Sequence, residues 1–126
     1  MQLTQDTPDH RFQLRSADGA LARVNEHELR QSFLLSPDRL VEDWRPRSID
    51  ELDASDMDAV LALEPALVLL GSGASLRFPA PAVMAACLTR GIGIEVMDNA
   101  AAARTFNLLA GEGRKVVAGF LLGGIV

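Results

Sequence analysis

The chain has 126 residues but only one cysteine, no tyrosine, one tryptophan, five phenylalanines and two histidines. Each scarcity excludes something. A lone Cys87 rules out an internal disulfide and a cysteine-built zinc cluster. Its setting, Val83-Met84-Ala85-Ala86-Cys87-Leu88, makes it a buried small hydrophobe. With so few aromatics, the core must be aliphatic. The longest apolar run, Val116 to Val126, is eleven residues, too short for a bilayer span, which needs ~20. The stretch Met1 to Arg15 is polar and lacks the apolar centre of a secretory signal. A reducing, cytoplasmic location without a membrane span is therefore expected.

Positive charge is also scarce. The formal net charge is −5. Residues 1–63 carry thirteen acidic and seven basic side chains, net −6, whereas residues 64–126 carry four and five, net +1. Phosphate neutralisation supplies most nucleic-acid affinity, and an acidic chain without a basic stripe does not offer it. Nucleic acid is not an expected partner.

What is present is a patterned α/β chain of ordinary single-domain length, residues 1–126. Phe12 to Arg15 and Leu21 to Val24 flank Ser16-Ala17-Asp18-Gly19, a hairpin signal because Gly takes positive φ cheaply. Ser32 to Leu35 and Leu40 to Trp44 flank a second turn, Ser36-Pro37-Asp38-Arg39. Trp44-Arg45-Pro46-Arg47 then leaves as extended chain. A short helix is predicted from Asp53 to Leu63, capped by Asp53 or Ser55 and closed by Pro65.

Ala66 to Leu70 is a continuous apolar run, the mark of a strand covered on both faces. Pro79-Ala80-Pro81 opens a helix through Arg90, and Gly91 ends it. Ile92 to Met97 is a second strand. Asp98 caps a helix from Asn99 to Glu112 with Ala102, Phe106, Leu109 and Ala110 on one face. Lys115 to Leu122 is a third strand, and Gly123-Gly124 frees a short tail. Two right-handed crossovers and a parallel core of three strands follow.

Chemistry is harder to find. Gly71-Ser72-Gly73 follows a strand, but Leu76 stands where the dinucleotide fingerprint needs Gly or Ala, and no Gly-Lys-Ser/Thr makes it a P-loop. Gly-Ser-Gly is not the hydrolase elbow. His10 and His27 lie in the polar first third without metal-ligand spacing, and read as solvated. No metal and no cofactor is expected. Glu95 is the informative oddity. It shares a strand face with Gly93 and Met97, and a central strand would bury that carboxylate against a partner or beside a cleft. Open parallel sheets bind ligands beyond the carboxyl ends of their strands. The candidate cleft therefore comprises Gly71, Ser72, Gly73, Glu95, Asp98, Arg104, Thr105 and Asn107, with Arg104 and Asn107 on one helical face.

Several motifs together resemble one family. They are Leu69-Leu70-Gly71-Ser72-Gly73, Phe78-Pro79, Gly91-Ile92-Gly93-Ile94-Glu95-Val96-Met97-Asp98, Ala103-Arg104-Thr105-Phe106-Asn107-Leu108-Leu109 and Glu112-Gly113-Arg114-Lys115-Val116. Their order and spacing are similar to the Mth938-like domains of unknown function, which include mitochondrial respiratory complex I assembly factor 3. That resemblance implies three layers: helices, a central mixed and mostly parallel sheet, and a smaller antiparallel β layer from the N-terminal strands. It also implies a chaperone-like role with partner proteins, and supplies no catalytic residue. Where the family often has Gly-Thr-Gly and Thr-Tyr-Asn, this chain has Gly71-Ser72-Gly73 and Thr105-Phe106-Asn107, losing a phenol.

The leading expectation is a non-catalytic protein-interaction or assembly-factor-like module, monomeric or weakly dimeric. Seven carboxylates between Glu42 and Asp58 offer it a charged patch. A binder or enzyme for a small polar or anionic metabolite at the candidate cleft is the alternative. A weaker option has the tail from Gly119 to Val126 packing on a partner or a membrane edge.

Overall fold

The computed structural model describes residues 12–123. His10 and the tail residues Gly124 to Val126 lie outside them. Strands β1 (Leu14–Ala17), β2 (Ala22–Val24) and β3 (His27–Leu29) form a separate antiparallel sheet. Strands β4 (Phe33–Leu35) and β5 (Leu40–Val41) join a five-stranded mixed sheet with β6 (Leu67–Gly71), β7 (Gly93–Met97) and β8 (Val116–Phe120), in the order β5-β4-β8-β6-β7. Three helices complete the fold: α1 (Met57–Leu61), α2 (Pro81–Leu88) and α3 (Asn99–Gly111).

Burial explains that order. β8 sits in the middle, parallel to β6 and antiparallel to β4, and all five of its residues are buried. In β6, Val68 and Leu70 enter the core under α1 and α2, while Leu69 enters the core under α3 and the small sheet. β8 divides likewise, with Val117 on one side and Val116, Ala118 and Phe120 on the other. Strands covered on both faces need apolar residues at consecutive positions, as these have. α2 and α3 therefore lie on opposite faces, and the small sheet shares α3's face. The result is the three-layer, mostly parallel architecture expected.

Several expectations change in detail. β3 was not anticipated. It follows β2 through Asn25, which holds φ +53, a left-handed position that asparagine tolerates. The helix predicted from Asp53 to Leu63 is a 3-10 turn, Ala54–Asp56, running into the five-residue α1, because Glu64 at φ +57 ends the winding. Asp53 is the cap, accepting from the amides of Ser55 and Asp56. α2 stops at Leu88, not Arg90. β7 is an edge strand, so it does not bury Glu95, which is exposed.

The long link from β5 to the 3-10 turn is fastened by two groups. Trp44 lays its indole across Gly119 of β8 and donates its N–H to the Asp56 carbonyl at 3.1 Å. A Cβ at position 119 would meet that ring at 2.8–2.9 Å. Overpacking a rigid core costs about 1–3 kcal/mol, more than the ~0.4–1 kcal/mol gained from a less flexible unfolded chain. Gly119→Ala should thus destabilise the fold by roughly 2 kcal/mol in urea unfolding; no loss would refute the contact.

The second fastener is the buried Asp56 carboxylate, gripped by Arg45 through Nε at 2.8 Å and Nη2 at 2.6 Å. That hydrogen-bonded guanidinium holds the Asp56 pKa below the ordinary carboxylate value, outweighing the upward push of burial. A depressed folded pKa contributes stability above the unfolded value, lost as pH falls through the folded one. Unfolding midpoints of the wild type should therefore fall below about pH 4. Asp56→Asn should be less stable at neutral pH and flatter across that acid range.

Candidate functional site

The carboxyl ends of β6 and β7 meet at Gly71-Ser72-Gly73 and Asp98-Asn99. Ser72 extends the ladder, its amide donating to the Met97 carbonyl at 2.8 Å. Its hydroxyl lies 2.8 Å from the Ser75 carbonyl and 3.1 Å from that of Met97, and accepts from the Arg77 amide at 3.1 Å. Gly73, at φ +115, takes a conformation that suits glycine. Its amide donates to the Asn99 side-chain oxygen at 3.1 Å, and its carbonyl accepts from the Asn99 amide at 2.8 Å. Asp98 caps α3 with a bond from the Ala101 amide at 2.8 Å.

Asn99 closes the junction. It is fully buried, and its Nδ2 donates to the carbonyls of Asp18 at 2.7 Å and Leu121 at 3.0 Å. One carboxamide thus joins the loop after β6, the chain after β8 and the first hairpin turn. A Cβ at Gly71 would collide with its oxygen, so that glycine is required by close approach. The amides that would cradle an anion, those of Ser72 and Gly73, already have protein acceptors. The strand ends, where a doubly wound sheet places ligands, are bridged by an asparagine.

The other residues of the sequence-derived cleft disperse. Glu95 is exposed on the open edge of β7. Arg104 is exposed on α3, without an ion pair among the described residues, and lines a shallow groove beside β1. Thr105 is half-buried. Asn107 brackets Leu14, accepting from its amide at 3.0 Å and donating to its carbonyl at 2.6 Å. It therefore acts as a strand partner that docks β1 on α3. Gly71, Ser72, Gly73 and Asp98 come together; Glu95, Arg104, Thr105 and Asn107 do not join them.

Nucleophilic chemistry has no support at this junction. His27 sits exposed on β3, in the other sheet. Cys87 is buried, and burial pushes its thiol pKa up, which keeps it protonated and inert. No group of His, Cys, Asp and Glu able to hold a metal occurs among the described residues. No helix there is long and apolar enough to cross a membrane.

Sequence reasoning passed over two features. An internally bonded loop, residues 72–80, leaves Leu76 52% and Phe78 68% exposed. A cavity of about 480 Å³ lies at the seam of the two sheets, lined by Arg30, Trp44, Arg45, Arg47 and Gly123 among others. The signals were Phe78 ahead of two helix-opening prolines, and two arginines flanking Pro46.

If Asn99 is the fastener, its removal strands buried carbonyls at about 1–3 kcal/mol per lost partner. Asn99→Ala should cost roughly 3 kcal/mol in urea unfolding. Asn99→Asp, isosteric but facing two carbonyls with a carboxylate, should be no better tolerated.

The comparisons with known proteins agree with this architecture. A family model described as a protein of unknown function (DUF498/DUF598) matches residues 15–121. No curated protein matches. The NMR structure of XCC1710 from Xanthomonas campestris is 56% identical, with 100% of this chain and 96% of that one covered at a TM-score of 0.84. A Bordetella pertussis protein described as a Mth938-like domain is 24% identical over 90% of this chain and 87% of its own, at 0.76. An outer membrane protein from Bartonella henselae is 22% identical over 91% and 98%, at 0.76. Those last two share the fold. The chain belongs to the DUF498/DUF598 family of proteins of unknown function and shares the fold of a Mth938-like domain.

Proposed function

We propose that this chain is a non-catalytic protein-interaction module of the assembly-factor kind, working in the cytoplasm. The observation that carries the reading is Phe78, 68% exposed in an internally bonded loop. A large apolar side chain held out in water gains free energy only when something covers it. Aromatic anchors of this sort supply most of the binding energy at protein interfaces.

The loop is preorganised for that use. Ser72 ties its start, Arg77 pairs with Asp50 at 2.7 Å, and buried Pro79 fixes its exit. A loop already in its bound shape loses little conformational entropy on docking. The Arg77–Asp50 pair also sets Phe78 beside the acidic segment from Glu42 to Asp58. A partner with an apolar pocket and a basic rim fits both features.

The alternative, a small polar or anionic metabolite bound at the strand ends, ranks second. Asn99 would have to release the Gly73 amide before an anion could use it.

A photo-crosslinking phenylalanine analogue placed at position 78 in growing cells tests the proposal. One discrete adduct is expected, lost when Leu76→Asp is added and absent when the crosslinker replaces Arg23 on the small sheet. Urea unfolding should show Leu76→Asp to be folded. A smear, or an equal yield from position 23, would defeat the reading.

A further inference from the structure

Three arginines converge on the seam cavity of a protein whose net charge is −5. Arg30 comes from the link between β3 and β4, and Arg45 and Arg47 come from the extended segment after β5. The chain leaving β8, Leu122-Gly123, closes the cavity near the carboxyl end of that strand. Trp44 also borders it, and the only acidic residue among its lining is Asp43.

Each guanidinium is tethered by a group that is not part of the lining. Arg30 Nη2 reaches Glu28 at 3.4 Å, and Arg47 Nη2 reaches Glu51 at 3.3 Å. Arg45 spends Nε and Nη2 on Asp56 and Nη2 again on the Glu51 carbonyl at 2.6 Å. Nε and Nη1 of Arg30 and Arg47, and Nη1 of Arg45, make no side-chain bond to an acid among the described residues. Guanidinium N–H groups are five-fold donors that match planar or tetrahedral oxyanions. The three side chains remain 58–69% exposed, and a tether lowers the entropy lost on gripping an oxyanion.

Asp43 stands in the same cavity at φ +66, a conformation an L side chain rarely takes, and its carboxylate forms no ion pair among the described residues. Beside three arginines, an unpaired carboxylate is an acceptor. It would repel a bare polyanion and receive the hydroxyl of one that carries a donor.

We infer that the cavity bounded by Arg30, Asp43, Trp44, Arg45, Arg47 and Gly123 is a binding site for a compact oxyanion, phosphoryl or carboxylate, bearing a hydroxyl group. The site is separate from the loop of Phe78 and does not depend on the docking role proposed for it.

Trp44 is the only tryptophan and lines the cavity, so its fluorescence reports occupancy. Inorganic phosphate, citrate and tricarballylate, which is citrate without the hydroxyl, are titrated separately at constant ionic strength. A saturable change with phosphate or citrate is expected, and a response to only one of them identifies the head group. Citrate should bind more tightly than tricarballylate, and Asp43→Asn should erase that difference. Arg30→Gln with Arg47→Gln should raise Kd about tenfold or more, whereas Arg23→Gln should leave it unchanged. Amide NMR shifts in the wild-type chain provide a reading independent of any variant, and should cluster at Gln31, Trp44 and Gly123. A linear response equal to that of sodium chloride, shifts scattered elsewhere, or affinity retained in the double arginine variant would overturn the inference.

Discussion

A carboxamide taken out of water must find partners for both its ends, and the fold satisfies that demand at Asn99 by drawing three distant segments onto one side chain. The carbonyls of Asp18 and Leu121 and the amide of Gly73 all bond to it. An unmade buried hydrogen bond costs more than a made one contributes. The arrangement is therefore highly selective, since a shifted turn or strand end leaves a buried polar atom without a partner. Asn107, two turns further along α3, repeats the device with the backbone of Leu14. Between them, two asparagines on one helix dock the small sheet against the large one, where apolar packing alone fixes no register.

This explains why the strand ends offer no open crevice in a fold of a type that often has one. In a doubly wound sheet the gap forms where successive crossovers go to opposite faces. Here α2 follows β6 and α3 follows β7, so the ends of those two strands are where a gap would form. Asn99, just beyond β7, bonds to the Gly73 amide and the Leu121 carbonyl and ties the ends together. An open cavity lies at the seam between the sheets, bordered by arginines instead of helix-terminal amides.

Much of the architecture was legible because burial on two faces leaves a plain mark. The runs Leu67 to Leu70 and Val116 to Phe120 are apolar at consecutive positions, and both are covered on both sides. The Asp98 cap and the buried stripe of α3 followed from short-range rules. β3 did not, since three residues carry too little pattern and the turn before it depends on a left-handed asparagine. The edge position of β7 was written in its alternation of Ile94 and Val96 with Gly93 and Glu95, a half-exposed pattern unlike those of β6 and β8. Of the residues grouped as the candidate site, only neighbours at the strand ends come together. Asn99 escaped notice because nothing local links it to Asp18 or Leu121. Arg104 and Glu95 were grouped with the loop by chain proximity, although helix and strand geometry turns both toward solvent.

Strand β7 leaves one margin of the large sheet without a neighbour among the described residues. Such a margin is a template on which a like strand can add without limit. Glu95 stands at the middle of its five residues. Two copies laid side by side in antiparallel fashion about that point would bring carboxylate against carboxylate, with no cation on either strand to separate them. The same residue that builds no pocket thus makes that margin a poor template for a second copy of its own strand.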